Sequence, residues 1–378
     1  MLTAPFSENL SDLNTLRLRF RGCLLGGAVG DALGGPVEFL SLPEITARFG
    51  AQGITDYEAA WGGKGKITDD TQMTLFTAEG LLRGWVRGAM RGIAPAFTGT
   101  TAHAYQRWLL TQGEHNRHGL LKGFSLSGWL IQQQALYSAR APGVTCLSAL
   151  REMKRFGEPA SNNSKGCGGV MRVAPVGLFY ARNQETDAVR QAFDMGCRLA
   201  ALTHGHPTGW LTGGVLAVLV FHLAQGETLH AAADSAIALL KTQPAHEETL
   251  HAIELAQQLA QTPTPSHEAI AKLGEGWVAE EALAIAVYCA LAARSFEHGV
   301  LMAVNHSGDS DSTGAIAGNL LGAMYGVTAI RTAWLENLEL NSVIQEIADD
   351  LLEYKAWEIS DYTLTPFTQA LLKKYPGD

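Results

Sequence analysis

The sequence predicts an all-α protein built as a single large multi-helix domain. Three observations predict it. Apolar residues recur at spacings of three and four through most of the chain. Alternating, strand-like stretches are nearly absent, and Gly/Pro clusters punctuate the helical segments. The chain has 378 residues, 47% hydrophobic and 17% charged, enough apolar material for a large core and too apolar for a disordered chain.

Taken in order, helix-period patterns cover Thr71–Trp85, Asp187–Leu202, Leu211–Ala224, His246–Ala260, Ala279–Ala293 and Ser342–Tyr354. Loops are expected at Gly34-Gly35-Pro36, Gly62-Gly63-Lys64-Gly65, Pro142-Gly143 and Thr262-Pro263-Thr264-Pro265. None of these is long enough to separate domains. The chain therefore divides into an N-terminal extension, residues 1–16, and one helical domain, residues 17–378.

Two segments carry glycine every fourth residue: Gly22, Gly26, Gly30 and Gly34, and then Gly314, Gly318, Gly322 and Gly326. On a helix this spacing gives a smooth ridge on one face, along which another backbone can approach closely. Each such glycine costs about 1 kcal/mol relative to alanine, so eight of them imply a packing reason. With Asp31 and Asn319 inside the segments, a membrane dimer motif is not expected.

Bulk features exclude several classes. With 28 basic and 37 acidic residues the net charge is −9, and no basic run offers a nucleic-acid face. The five cysteines, Cys23, Cys146, Cys167, Cys197 and Cys289, form no C-x-x-C pair, so neither a disulfide framework nor a zinc site is expected. The N-terminus lacks an apolar signal core, and no apolar run reaches the length of a membrane span. A cytoplasmic location is the expectation. The Gly62–Thr68 loop lacks phosphate-loop spacing, Gly166–Met171 is not G-x-G-x-x-G, and no G-x-S-x-G elbow occurs.

The carboxylates are more informative. Thr68-Asp69-Asp70-Thr71 and Asp309-Ser310-Asp311-Ser312-Thr313 each open a helix. Asp, Ser and Thr suit N-caps, but a cap needs one side chain and each cluster offers two carboxylates and at least two hydroxyls. In an extended turn Asp309 and Asp311 point the same way, whereas adjacent Asp69 and Asp70 diverge. An all-oxygen donor set without Cys or His selects Mg²⁺ or Mn²⁺ over zinc. Four aspartates balance two divalent ions, which in such sites lie about 3.5–4 Å apart.

Five blocks in order resemble the ADP-ribosylglycohydrolase family: Gly22–Phe39, Ile67–Leu75, Asn162–Leu178, Leu202–Trp210 and His306–Gly318. Gly274–Leu283 is a further similar segment. The D-S-D-S-T-G form from Asp309 looks most like the arginine-specific ADP-ribose hydrolases. The resemblance implies two Mg²⁺ (or Mn²⁺) held by Thr68, Asp69, Asp70, Asp309, Asp311 and Ser312, the last standing where many relatives have threonine. It implies that Glu38 is an acid/base group or a mobile gate, and that Asp31 orients the first loop. Asn163, Ser164, Gly166, Cys167 and Gly168 would cradle the diphosphate and proximal ribose, His204 would line the cleft, and Trp277 would pack on ribose or adenine. Lys165 and Arg172 stand near these groups without an assigned role. The histidine-rich turn Gln112–Gly119 departs from the family, whose members often carry aspartate there, and this affects adenine-side contacts.

The activity so implied is release of ADP-ribose from modified arginine of proteins, by cleavage of the N-glycosidic bond with Asp69, Asp70 or Glu38 taking a proton from water. Alternatives are hydrolysis of another ADP-ribosyl linkage, or immunity in which the extension contacts an ADP-ribosyltransferase toxin. Partners are thus an ADP-ribosylated protein and, under the last reading, a toxin; nucleic acid and membrane are not expected.

Overall fold

A computed structural model describes residues 10–122, 126–183, 185–359 and 365–377. Among these residues there are seventeen α-helices and no β-strand, as the hydrophobic periodicity requires. The first six are α1 (Leu10–Gly34), α2 (Leu42–Phe49), α3 (Asp69–Arg91), α4 (Phe97–Thr111), α5 (Val144–Glu152) and α6 (Ala174–Ala181). Then come α7 (Ala188–Ala201), α8 (Pro207–Gln225), α9 (Leu229–Leu240), α10 (Glu247–Ala260), α11 (Ser266–Leu273) and α12 (Ala279–Ala292). The chain closes with α13 (Phe296–Val304), α14 (Ser310–Tyr325), α15 (Thr332–Asn337), α16 (Asn341–Glu353) and α17 (Pro366–Lys374).

The six helices expected from periodicity correspond to α3, α7, α8, α10, α12 and α16, and the residues at their ends explain their lengths. Thr68 caps α3 by accepting from the Asp70 N–H at 3.3 Å, and left-handed Gly92 ends it. Pro207 occupies the first turn of α8, whose capping His206 accepts from Thr208 N at 3.2 Å, and Gly226 closes it. Residues 1–9 lie outside the described region. Residues 10–16 of the expected extension form the first turns of α1, with Leu13 and Leu16 packed on the core.

Helix α8 is the buried centre, flanked by α6, α7 and α9. This 19-residue helix contains an 18-residue window of mean hydropathy 1.4, long and apolar enough to cross a membrane, which was not expected from the sequence; 89% of that window is buried inside the protein.

The glycine ridges meet each other. α1 and α14 run antiparallel with Gly22 facing Gly322, Gly26 facing Gly318 and Gly30 facing Gly314. A Cβ placed on Gly30 would sit 1.9 Å from Gly314 O, and one on Gly318 would sit 2.0 Å from Gly26 O. Gly34 meets the Ser310 backbone, so the contact ends at the first residue of α14. Gly326 ends the ridge: its carbonyl carbon would lie 2.8 Å from a Cβ on Gly22, while it terminates α14 at φ +77° and its own Cβ position faces Leu18. Asn319, buried in the seam, donates to Cys23 O at 2.8 Å. The packing reason is therefore contact of two backbones with almost no side chain between them.

Gly318→Ala is expected to destabilise the protein by about 1–3 kcal/mol through overpacking, against a gain of about 1 kcal/mol in helix propensity. A lowered midpoint in thermal denaturation checks this; an unchanged or raised midpoint refutes the seam.

Candidate active site

Where the seam ends, the acidic clusters come together. Asp31 lies in the last turn of α1, Glu38 follows a short 3₁₀ turn (Gly35–Val37), Thr68–Asp70 open α3, and Asp309–Ser312 open α14. All six carboxylate groups, Asp31, Glu38, Asp69, Asp70, Asp309 and Asp311, are buried. Oxygens of Glu38, Asp309 and Asp311 lie within 4.8 Å of one another. The charge of Asp311 reaches Asp69 and Asp70, so the two clusters, distant in sequence, share one pocket.

Asp31 holds the first loop. Its Oδ1 and Oδ2 accept from Thr68 N at 2.9 and 3.0 Å, and Oδ2 accepts from Thr71 N at 3.1 Å and from the Thr71 hydroxyl. It positions the loop, as expected. Asp69 and Asp70 diverge: Asp69 Oδ2 accepts from Gly143 N at 3.1 Å, while Asp70 Oδ2 lies 3.5 Å from the Thr68 hydroxyl. Asp309 and Asp311 converge for a different reason than expected. They belong to a helix N-terminus, not to an extended turn, and both accept from Ser312 N, at 3.2 and 2.9 Å.

Charge at this density is costly. Two ionised carboxylates about 4.8 Å apart repel by about 3 kcal/mol at an effective dielectric of about 20. Desolvation, and then the charge of Asp311, push Asp31 from 3.8 up to about 7. Desolvation, and then Asp311, Asp309 and Asp69, push Glu38 from 4.5 up to about 10. Asp69, Asp70 and Asp311 are likewise raised well above the usual carboxylate range, first by desolvation. Glu38 Oε2 and Asp70 Oδ1 are buried with no hydrogen-bond partner. Oxygen donors of this number, with unpartnered lone pairs, fit divalent cations.

A thiol stands beside the carboxylates. The Cys167 thiol, expected only in the substrate loop, donates to Asp309 Oδ2 at 2.8 Å. That loop is well anchored. Asn162 Oδ1 accepts from Ser164 N and Gly205 N, both at 3.0 Å, and Ser164 Oγ pairs with Thr145 Oγ1 at 3.1 Å and accepts from Gly166 N at 3.3 Å. Cys167 N donates to Trp277 O at 3.2 Å. These N–H groups are thus used inside the protein, while Asn163 is exposed.

His204 is buried beneath the loop against Gly166 and Gly168, with Nδ1 2.8 Å from Thr203 Oγ1. Desolvation, and then Arg172, lower it to about 3, so it is neutral. Arg172 is fully buried over the Tyr105 ring and donates to Leu199 O and Thr203 Oγ1. Lys165 pairs with Glu248 and Glu280. Both cations therefore have structural partners. The Gln112–Gly119 turn is tied to the end of α5, with Asn116 Nδ2 donating to Leu150 O and Met153 O at 2.8 and 2.9 Å.

Three features of the site carried no recognisable sequence signal. Gly143 N holds Asp69 from a distant turn. Arg140 donates to Ile67 O at 2.7 Å and pairs with Glu339, which also accepts from Lys66 at 2.8 Å, clamping the residue before Thr68. Exposed Phe39 stacks on Trp277 with ring centroids 5.7 Å apart, beside Glu38.

A family model described as ADP-ribosylglycohydrolase matches residues 12–359. The chain belongs to the ADP-ribosylglycohydrolase family. It is 26% identical over 333 residues to the ADP-ribosyl-[dinitrogen reductase] glycohydrolase of Rhodospirillum rubrum, covering 85% of this chain and 90% of that one. It is 25% identical over 344 residues to the ADP-ribosylarginine hydrolase Tri1 of Pseudomonas putida, covering 89% and 78%. A solved structure titled ADP-ribosylglycohydrolase-related protein complex superposes with a TM-score of 0.63 at 28% identity, covering 90% of this chain and 99% of that one. Membership of this family supports hydrolase activity and is compatible with the buried carboxylates as a divalent-metal site.

The raised acids fix a direction of pH dependence. Groups raised on folding stabilise the native state below their unfolded values, near 4, and that contribution is lost as pH climbs through the folded values. In chelator, thermal stability should fall between about pH 4 and pH 10, the interval spanned by Asp31 and Glu38. Mg²⁺ should restore stability most at the alkaline end. A chelated protein that gains stability over this interval contradicts the geometry.

Proposed function

We propose that this family member hydrolyses the N-glycosidic bond between ribose C1″ and the guanidinium of ADP-ribosylated arginine in proteins. The observation that carries the reading is that Thr68, Asp69 and Asp70 open one helix and Asp309, Asp311 and Ser312 another at a buried acidic pocket, where the Asp311 charge reaches Asp69 and Asp70 and Glu38 lies within 4.8 Å of Asp309 and Asp311. The name of the Pseudomonas putida relative and the D-S-D-S-T-G form from Asp309 favour arginine over other linkages.

Those six residues would hold two Mg²⁺ or Mn²⁺, with Glu38 at the edge. Bound there, the cations supply Lewis acidity toward ribose hydroxyls and water. The chain's own groups do the rest. Asp31 keeps Thr68 and Thr71 in place, Gly143 N fixes the rotamer of Asp69, and Glu38 or one of the two α3 aspartates, ionised once the cations are bound, would take the proton of the attacking water. The negative pocket favours a sugar ring that gains oxocarbenium character as the bond to nitrogen breaks. The 163–168 loop and Trp277 would bind the ADP-ribosyl moiety, with neutral His204 supporting the loop from behind.

A paired substitution tests this. Asp69→Ala with Asp70→Ala should abolish Mg²⁺-dependent release of ADP-ribose from an ADP-ribosylated arginine protein while circular dichroism remains helical. A panel including serine-linked ADP-ribose decides the linkage: preference for serine refutes the arginine assignment, and full activity of the double variant refutes the site.

A further inference from the structure

One wall of the carboxylate pocket is sulfur. Cys167 Sγ lies 2.8 Å from Asp309 Oδ2 and 3.6 Å from Ser312 Oγ, and Met171 Sδ lies 3.8 Å from that same hydroxyl. The thiol is held in place by its backbone: Cys167 N donates to Trp277 O, and Val170 N and Met171 N donate to Cys167 O at 3.0 and 3.2 Å. Across the pocket, Asp70 Oδ1 and Glu38 Oε2 are buried without partners. Oxygens of Glu38 and Asp311 lie within 4.8 Å of those of Asp309, the partner of the thiol, so thiol and carboxylates border one pocket. Cys167 is also the partly exposed cysteine, whereas Cys23, Cys146, Cys197 and Cys289 are buried.

Softness decides what this wall prefers. Mg²⁺ takes oxygen, while thiolate and thioether select softer ions, and Zn²⁺ binds N/O/S donors more tightly than Mn²⁺. A tetrahedral zinc with bonds of about 2.3 Å to sulfur and about 2.1 Å to oxygen sets S···O near 3.6 Å. The Cys167–Ser312 spacing has that value, and the Cys167–Asp309 pair reaches it by opening less than about 1 Å.

We propose that Cys167 and Asp309 form a thiol-containing subsite that captures thiophilic divalent cations such as Zn²⁺ or Cd²⁺ in place of one hard cation. The inference rests on the metal-site reading above. On capture the S–H bond breaks, its proton goes to solvent, and the sulfur lone pair forms the bond to the metal. Asp309 Oδ2, no longer accepting from the thiol, turns to the same ion. No electron is transferred and no other reactant is needed. The consequence is an enzyme whose oxygen-rich centre binds Mg²⁺ yet is occupied in preference by trace zinc.

The test uses the full chain, stripped by chelator and titrated with Cd²⁺ alone or Mg²⁺ alone. Wild type should develop the ultraviolet sulfur-to-cadmium charge-transfer band, and Cd²⁺ should protect Cys167 from carbamidomethylation mapped by mass spectrometry. Cys167→Ser should lose the band and bind Cd²⁺ roughly tenfold or more weakly by calorimetry, with Mg²⁺ affinity changed by less than about threefold. Asp309→Asn should weaken Cd²⁺ binding by a similar factor. Absence of the band and of protection in a wild-type protein that binds Mg²⁺ overturns the subsite alone, and needs no variant to fold. A band that persists in Cys167→Ser also overturns it. If neither ion binds wild type, the metal-site reading falls and the subsite with it.

Discussion

The backbone contact between α1 and α14 is the constraint on which the site depends. Three glycine pairs let the two helices approach until a single added methyl group would overlap a carbonyl oxygen. The seam runs antiparallel, so the C-terminal end of α1 and the N-terminal end of α14 finish side by side. That geometry puts Asp31 and Glu38 next to Asp309 and Asp311, and it aims the positive end of α14 at their carboxylates. The helix-propensity cost of the glycines is offset by close packing, and the glycine seam and the acidic pocket are one construction.

Around that junction, hydrogen bonds decide which acid does what. Asp31 is saturated by the first turn of α3, so its charge organises protein and leaves little for a ligand. Asp69 is held by the Gly143 N–H of the 142–143 turn, and Asp70 and Glu38 each keep a buried oxygen without a partner. Unsatisfied buried oxygens are unusual in native proteins and point to a group the protein binds. The acid excess of the sequence is thus partly local: six of its carboxylates are concentrated in one pocket, and burial raises each above its ordinary protonation range.

Most of the fold was legible in the sequence because helix periodicity and end-capping are local. Thr71–Trp85 and Ala279–Ala293 mark α3 and α12 to within a few residues at most ends, and both acidic clusters announce helix starts. The glycine spacing announced that two backbones touch, though Gly326 has a different task as the terminator of α14. Contacts between segments distant in sequence were not legible. Nothing in the residues around Pro142-Gly143 says that an N–H there holds Asp69, and nothing near Glu339 says that it clamps Arg140 and Lys66 against Ile67. The thiol of Cys167 reaches Asp309 across 142 positions, a contact that nothing in the spacing of either segment marks.

The central claim is that the two acidic clusters form one metal-binding centre at the end of the glycine seam. Anomalous diffraction from crystals grown with Mn²⁺ tests it most directly. The account predicts manganese peaks enclosed by Thr68, Asp69 and Asp70 on one side and Asp309, Asp311 and Ser312 on the other. Manganese found elsewhere, or none bound among these carboxylates, would contradict it.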